Sequence, residues 1–180
     1  MKKLLFVASA VMSCFLFSCG TKESGGMSAT AKKNLESATA IMKMVETGDH
    51  SKLGDYIASD GVDHSGPTGE IKGLDAIKSE FDDLSKMMSD FKYDVVKEVA
   101  DDDYTFQWGK ESWTMKTDGM GMKAGDKSSG DVIEVSKFNK DGKNTDHWTF
   151  LSMSDVMKMM QPPPTQPKMD STMGKMDKKK

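Results

Sequence analysis

The feature that most constrains this chain is a change of hydrophobic period near Ser89. Before it, apolar residues return every three or four positions, the spacing of one face of a helix; after it they alternate, the spacing of a half-buried strand. Leu35, Ala38, Met42 and Val45 predict a first helix that stops at Gly48. Asp49 is placed to cap a short second helix with Leu53, Tyr56 and Ile57 on one face, ending near Asp60-Gly61. Leu74, Ile77, Phe81, Leu84 and Met88 predict a third, longer helix starting around Gly73. Between the second and third, Val62 to Gly69 reads as a short strand and a turn.

The alternating half contains four segments. Tyr93, Val95 and Val99 predict a strand closed by the turn Asp101-Asp102-Asp103. Tyr104, Phe106 and Trp108 share a face, and Trp113 and Met115 the other, so Gly109 reads as a phase slip, a bulge bending the sheet. Residues 118–130 form a glycine-containing hairpin loop, Val132 to Phe138 a strand, Asp141-Gly142 a turn, Asp146 to Met153 the last strand, and Asp155 to Met160 a final helical turn. Helices followed by an antiparallel meander predict an α+β domain, three N-terminal helices packed on a curved antiparallel sheet.

The two ends lie outside that domain. Met1-Lys2-Lys3 followed by apolar Leu4 to Phe17 has the length of a signal peptide and is too short for a membrane span. Leu16-Phe17-Ser18-Cys19-Gly20 resembles the lipobox of bacterial lipoproteins, in which the cysteine is acylated and becomes the new N-terminus. The expected organisation is therefore a signal peptide over 1–18, a flexible tether over 19–27, the domain over 28–160 and a disordered Pro/Met/Lys tail over 161–180. Acylated Cys19 would hold the protein on membrane lipid in the cell envelope, outside the cytoplasm.

Charge and residue types narrow the function. The chain carries −3 at pH 7 and −5 once Lys2 and Lys3 leave with the leader, and all its formal cations are lysines. A net acidic chain without arginine has no long-range attraction for nucleic acid and no bidentate phosphate fork, so nucleic acid is not expected as a partner. Both cysteines, Cys14 and Cys19, lie in the leader and lipobox, which leaves the domain without a disulfide or a thiolate metal site. No Gly-rich phosphate loop, nucleophile elbow or His-Glu-x-x-His is present, and no cofactor is expected.

The helical opening with Gly48-Asp49, then Asp63-His64-Ser65-Gly66, the glycine-led helix at Gly73-Leu74-Asp75-Ala76-Ile77, and the ending Asp141-Gly142-Lys143 with Asp146-His147-Trp148 together resemble the SnoaL-like (polyketide cyclase-like) branch of the nuclear transport factor 2-like superfamily. The resemblance spans Ala31 to Met160. It implies a cone in which helices close a curved sheet around a pocket, and relatives that are enzymes as well as relatives that only bind. Relatives often dimerise through the outer face of the sheet, so a homodimer is implied too. It also implies a histidine and a carboxylate in the pocket where acid–base chemistry occurs. Here His147 and Trp148 match a pair that relatives often follow with an acid, and this chain has Thr149 instead.

The residues expected to line a ligand pocket are His64, Trp108, His147 and Thr149, the last two sharing a face of one strand. His147 and Glu134 are the catalytic candidates, Glu134 lying on the strand face of Val132 and Phe138 with Asp131 pointing away. His50, after a cap, is placed at the surface. Seventeen methionines, grouped at Met42/Met44, Met120/Met122, Met157/Met159/Met160 and in the tail at Met169, Met173 and Met176, suit either adaptable packing or Cu(I). A zinc site from Asp63, His64 and His147 has no supporting spacing, and no metal is assigned. The expected function is binding of a small, partly apolar molecule in a cone-shaped pocket. The alternatives are an isomerase, cyclase or hydrolase using His147 with a nearby acid, and a Met-rich copper-handling protein.

Overall fold

Residues 26–119 and 121–159 are described by the structure, a computed structural model. The signal peptide, Cys19, most of the tether and the tail after Met160 lie outside the described residues.

Helix α1 spans Ala29–Thr47. Its first turn is closed by Ser28, whose hydroxyl accepts from the Ala31 N–H at 2.9 Å. Its last turn is closed by Gly48 at φ 69°, a left-handed conformation that suits glycine. Ala31, Leu35 and Ala38 are buried. Two buried polar residues tie the helix to turns: Asn34 donates to the Asp102 carbonyl at 3.1 Å and Ser37 to the Gly142 carbonyl at 3.2 Å. Helix α2 (Leu53–Tyr56) is one turn, and α3 (Leu74–Met87) is longer. Leu53, Ile57 and Ile77 form a core on which Ile41, Met44, Leu74 and Phe81 pack.

Six strands form one sheet: β1 (Ile57–Asp63), β2 (Ile71–Lys72), β3 (Met88–Ala100), β4 (Tyr104–Met115), β5 (Lys127–Phe138) and β6 (Asn144–Leu151), in the order β2-β1-β6-β5-β4-β3. Every pairing is antiparallel except β1 with β6. A last helix, α4, covers Met153–Met159. The α+β architecture, with helices packed on a curved sheet, is thus the expected one.

Several details differ from the sequence reading, each for a physical reason. Ile57 opens a strand instead of closing the second helix, because β6, more than eighty residues on, supplies its backbone partners. Asp49 accepts from the Ser51 N–H instead of capping α2. Strand β4 has no phase slip: Thr105, Gln107, Gly109, Trp113 and Met115 are all buried on one face. The irregularity sits across from it on β3, where the register moves from Val95↔Gly109 to Lys97↔Trp108 and leaves Val96 unpaired. Gly109 answers a different need. A Cβ there would stand 2.4 Å from Tyr93 Cε2, and the Tyr93 hydroxyl reaches the Gln107 carbonyl at 2.5 Å.

Candidate functional site

The inner face of the sheet is built from cross-strand rows. Asp63 on β1 is paired with His147 on β6, His147 with Ser136 on β5, and Ser136 with Thr105 on β4. One row on, Thr149 faces Glu134 and Glu134 faces Gln107. Side chains opposite one another on one face stand within contact range, so these rows collect acids, amides and an imidazole into one wall. The opposite wall is apolar, with Ile41 and Met42 of α1 and Ile77 and Phe81 of α3. Between them lies a cavity of about 40 Å³, room for a few water-sized groups at its inner end.

His147 is the centre of this wall. Its Nε2 lies 2.7 Å from Glu134 Oε2 and its Nδ1 3.3 Å from Asp63 Oδ2. Burial opposes a charge on the ring, but the hydrogen bonds to Asp63 and Glu134 outweigh it and push the imidazole up to about 10. At neutral pH both ring nitrogens therefore donate. Burial would raise Asp63 as well, yet the contact with His147 and the Ser65 N–H at 2.8 Å hold it below its ordinary value. Glu134 is 4% exposed, and its Oε2 also accepts from the Thr149 hydroxyl at 2.9 Å. Glu134 thus gathers three side-chain hydrogen bonds, from His147, Thr149 and Glu111.

A further carboxyl borders this group. Glu111 projects inward from β4 opposite Gly130, which has no side chain to compete for the space. Burial first, the charge of Glu134 second and a hydrogen bond to Glu134 third push Glu111 up to about 8, so it is neutral at pH 7 and donates to Glu134. The sequence reading missed Glu111. Strict alternation through β4 places it with Gln107 and Trp113, and that signal was hidden by taking Gly109 as a phase slip. Asp63 was weighed only as a zinc ligand, although its strand parity opposes that of His64.

His64 and Trp108 are not brought to the cavity. His64 lies on the other side of the sheet, with Nε2 3.1 Å from Asp146 and Nδ1 3.0 Å from Glu70. Its ring is stacked on Trp148, centroids 4.6 Å apart at 7°. Trp108 is 47% exposed on that same outer face, because the odd positions of β4 are the inward ones. His147, Glu134 and Thr149 do converge, joined by hydrogen bonds. His50 is buried instead of surface-exposed, with Nδ1 2.7 Å from Asp82 Oδ1. Among the described residues, no group of three or more His, Cys, Asp and Glu side chains is arranged to hold a metal ion. Met42 lines the cavity and Met44 packs on the core, while Met120 and the tail methionines lie outside the described residues.

The SnoaL-like domain model matches residues 38–147, and the chain belongs to that family. Solved structures share the fold at low identity. A SnoaL-like polyketide cyclase from Agrobacterium tumefaciens is 13% identical, with a TM-score of 0.59 over 71% of this chain and 98% of its own. A LEH-like epoxide hydrolase from M. tuberculosis is 12% identical, with a TM-score of 0.60 over 72% and 90%. TsrD from Streptomyces laurentii is 14% identical, with a TM-score of 0.61 over 71% and 94%. No curated protein matches the chain in sequence.

Proposed function

We propose that this SnoaL-like domain performs acid–base chemistry on a small, partly apolar molecule, of the isomerase, cyclase or hydrolase kind. The observation that carries this reading is the setting of Glu134: a buried carboxyl lining the cavity, held in place by His147 and Thr149 at Oε2 and by a hydrogen bond with Glu111. A carboxylate fixed in this way beside a cavity is positioned to take a proton from a bound molecule. The charged His147 beside it stabilises negative charge as it develops, and Glu134 gives the proton back when the reaction closes. The apolar wall keeps the exchange away from bulk water.

The test is solvent deuterium exchange into a panel of small carbonyl and amino compounds, followed by NMR. Wild-type protein is expected to accelerate exchange in a subset, and Glu134→Gln to lower that rate on the order of a hundredfold or more. Bound compounds that never exchange would instead support a carrier. That second reading is favoured by Thr149, a hydroxyl where relatives often place an acid.

Acylation of Cys19 would hold the domain on a membrane of the cell envelope. Cys19→Ser is expected to move the protein to the soluble fraction, and retention in membranes would refute the anchor. On the outer face, Val99, Phe106, Val135 and Trp148 form one cross-strand row, and Trp108, Ile133 and Phe150 the next. Phe106, Trp108, Ile133 and Phe150 are exposed. A contiguous apolar face of this kind suits a homodimer, which Trp108→Glu should convert to monomers in light scattering.

A further inference from the structure

The polar groups of the cavity differ from one another in which half of their hydrogen-bonding capacity is already used. Gln107, 2% exposed, donates its amide to Glu98 Oε2 at 3.1 Å, and Asn144, 4% exposed, donates its amide to the Asp146 carbonyl at 3.1 Å. Since those partners are acceptors, the NH₂ groups are fixed and the two side-chain carbonyl oxygens are left over. No described residue donates to either oxygen. Ser136, 6% exposed and lining the same cavity, has a hydroxyl with no hydrogen-bond partner among the described residues. These three oxygens are not sealed in the protein; they open on accessible space, where a ligand or water can satisfy them. Here an amide oxygen, another amide oxygen and a hydroxyl face one small space, beside the carboxyl of Glu134. Two of the three are acceptors only, and the hydroxyl can accept as well.

The charges point the same way. Around the cavity stand Asp63 on β1, Glu134 on β5, His147 on β6 and Glu111 behind Glu134 on β4, with Tyr93 and Glu98 on β3. The residues contributed by α1 and α3 are all apolar, and no lysine is among the lining residues. Glu111 is neutral and Glu98 is exposed, so His147 offsets one of Asp63 and Glu134 and leaves the cavity with one carboxylate charge in excess. An uncompensated buried charge is costly, and a protein relieves it by protonation or by a counter-ion.

We propose that the cavity takes a small organic cation, a protonated primary amine whose N–H groups are shared among Ser136, Gln107, Asn144 and Glu134, with its short hydrocarbon part against Ile41, Met42 and Phe81. This names the ligand class of the site and rests on the reading of that cavity as the functional one. The cavity's size admits an ammonium head and a few carbons at the inner end, with any larger part in the mouth. Glu111 gives the binding a pH signature. Held neutral near pH 7 by burial first and by the charge of Glu134 second, it ionises more readily once a cation arrives. Binding at pH 7 should therefore release protons, and affinity should rise as pH goes from 6 towards 8.

The experiment is titration calorimetry of the full chain with n-propylammonium, 1-butanol and propionate, in buffers of different ionisation heat. Propylammonium is expected to bind at least about tenfold more tightly than butanol, with proton release, and propionate not at all. Ser136→Ala should weaken propylammonium about tenfold, as for a lost hydrogen bond to a charged group, with its thermal midpoint measured alongside. Equal binding of butanol, preference for propionate, or no binding of propylammonium up to tens of millimolar would each overturn the proposal. The ligand series uses wild-type protein, so it decides the matter even if the variant does not fold. Deuterium exchange into neutral carbonyl compounds with no response to propylammonium would refute the cation and leave the acid–base reading standing. Propylammonium binding without any exchange would do the reverse.

Discussion

Two histidines in this molecule sit between pairs of carboxylates, one on each face of the sheet. His147 bridges Asp63 and Glu134 on the inner face; His64 bridges Glu70 and Asp146 on the outer face. Both imidazoles are shifted upward by their acids. Their side chains even have similar exposure, 24% and 23%. The partners make the difference: Glu134 and Asp63 have side chains 5% and 13% exposed, against 47% for Glu70 and 26% for Asp146. Water shares the outer charges and cannot share the inner ones. The same local grouping is thus a surface clamp on one side and a charged chemical group in a cavity on the other.

That contrast breaks most visibly if the two histidines are removed in turn. His147→Leu strands Asp63 and Glu134 in the interior and should cost about 3–5 kcal/mol in chemical denaturation. His64→Leu should cost less than about 1 kcal/mol, as for exposed ion pairs. Equal losses would mean that the inner network is as well solvated as the outer one.

The pH dependence of stability sharpens it further. His147 and Glu111 both have folded values above their ordinary ones, about 10 and about 8. A raised group stabilises the fold fully below its unfolded value and loses that contribution as pH climbs through its folded value. The unfolding midpoint should therefore fall steadily between pH 6 and 10. Glu111→Gln, which keeps a neutral group of the same shape, should flatten the part of that decline below pH 8. A midpoint that rises over this window would contradict the charge assignment.

Smaller effects test the faces themselves. Gly109→Ala drives a methyl into the Tyr93 ring and towards the Asp94 carbonyl, 2.8 Å away, and should cost about 1–3 kcal/mol. Trp108→Ser, on the exposed outer face, should change the stability of a monomer by roughly 0.5 kcal/mol or less. A Trp108 effect larger than that of Gly109 would indicate that the outer face is covered in solution.

Much of this was legible in the residues, and the misreadings share one cause. Helices α1 and α3 and the inward direction of Glu134 follow from local period alone, as does the shared face of His147 and Thr149. The start of β1 at Ile57 does not, because its partner on β6 is distant in sequence and no local pattern announces the pairing. Phe106 and Trp108 misled in another way: large apolar residues on a strand normally mark the core side, yet here they face out while Gln107 and Glu111 share the inner face with Trp113 and Met115. A sheet that wraps a polar cavity inverts the usual pattern. That inversion was the most informative signal in β4, and reading Gly109 as a slip erased it.

The single parallel pairing, between β1 and β6, has a consequence for the order of events in folding. Asp63 and His147 are partners across it with more than eighty residues between them, so closing that loop carries a large entropic cost and belongs among the slow contacts. The meander from β3 to β5 joins neighbours in sequence and can zip locally. Until the last strand inserts between β5 and β1, Glu134 and Asp63 have no imidazole between them, and His147 titrates like any solvated histidine. The shift of His147 from its ordinary value to about 10 is therefore a clock for the final step: a proton taken up when β6 docks, readable as a pH-dependent phase in refolding.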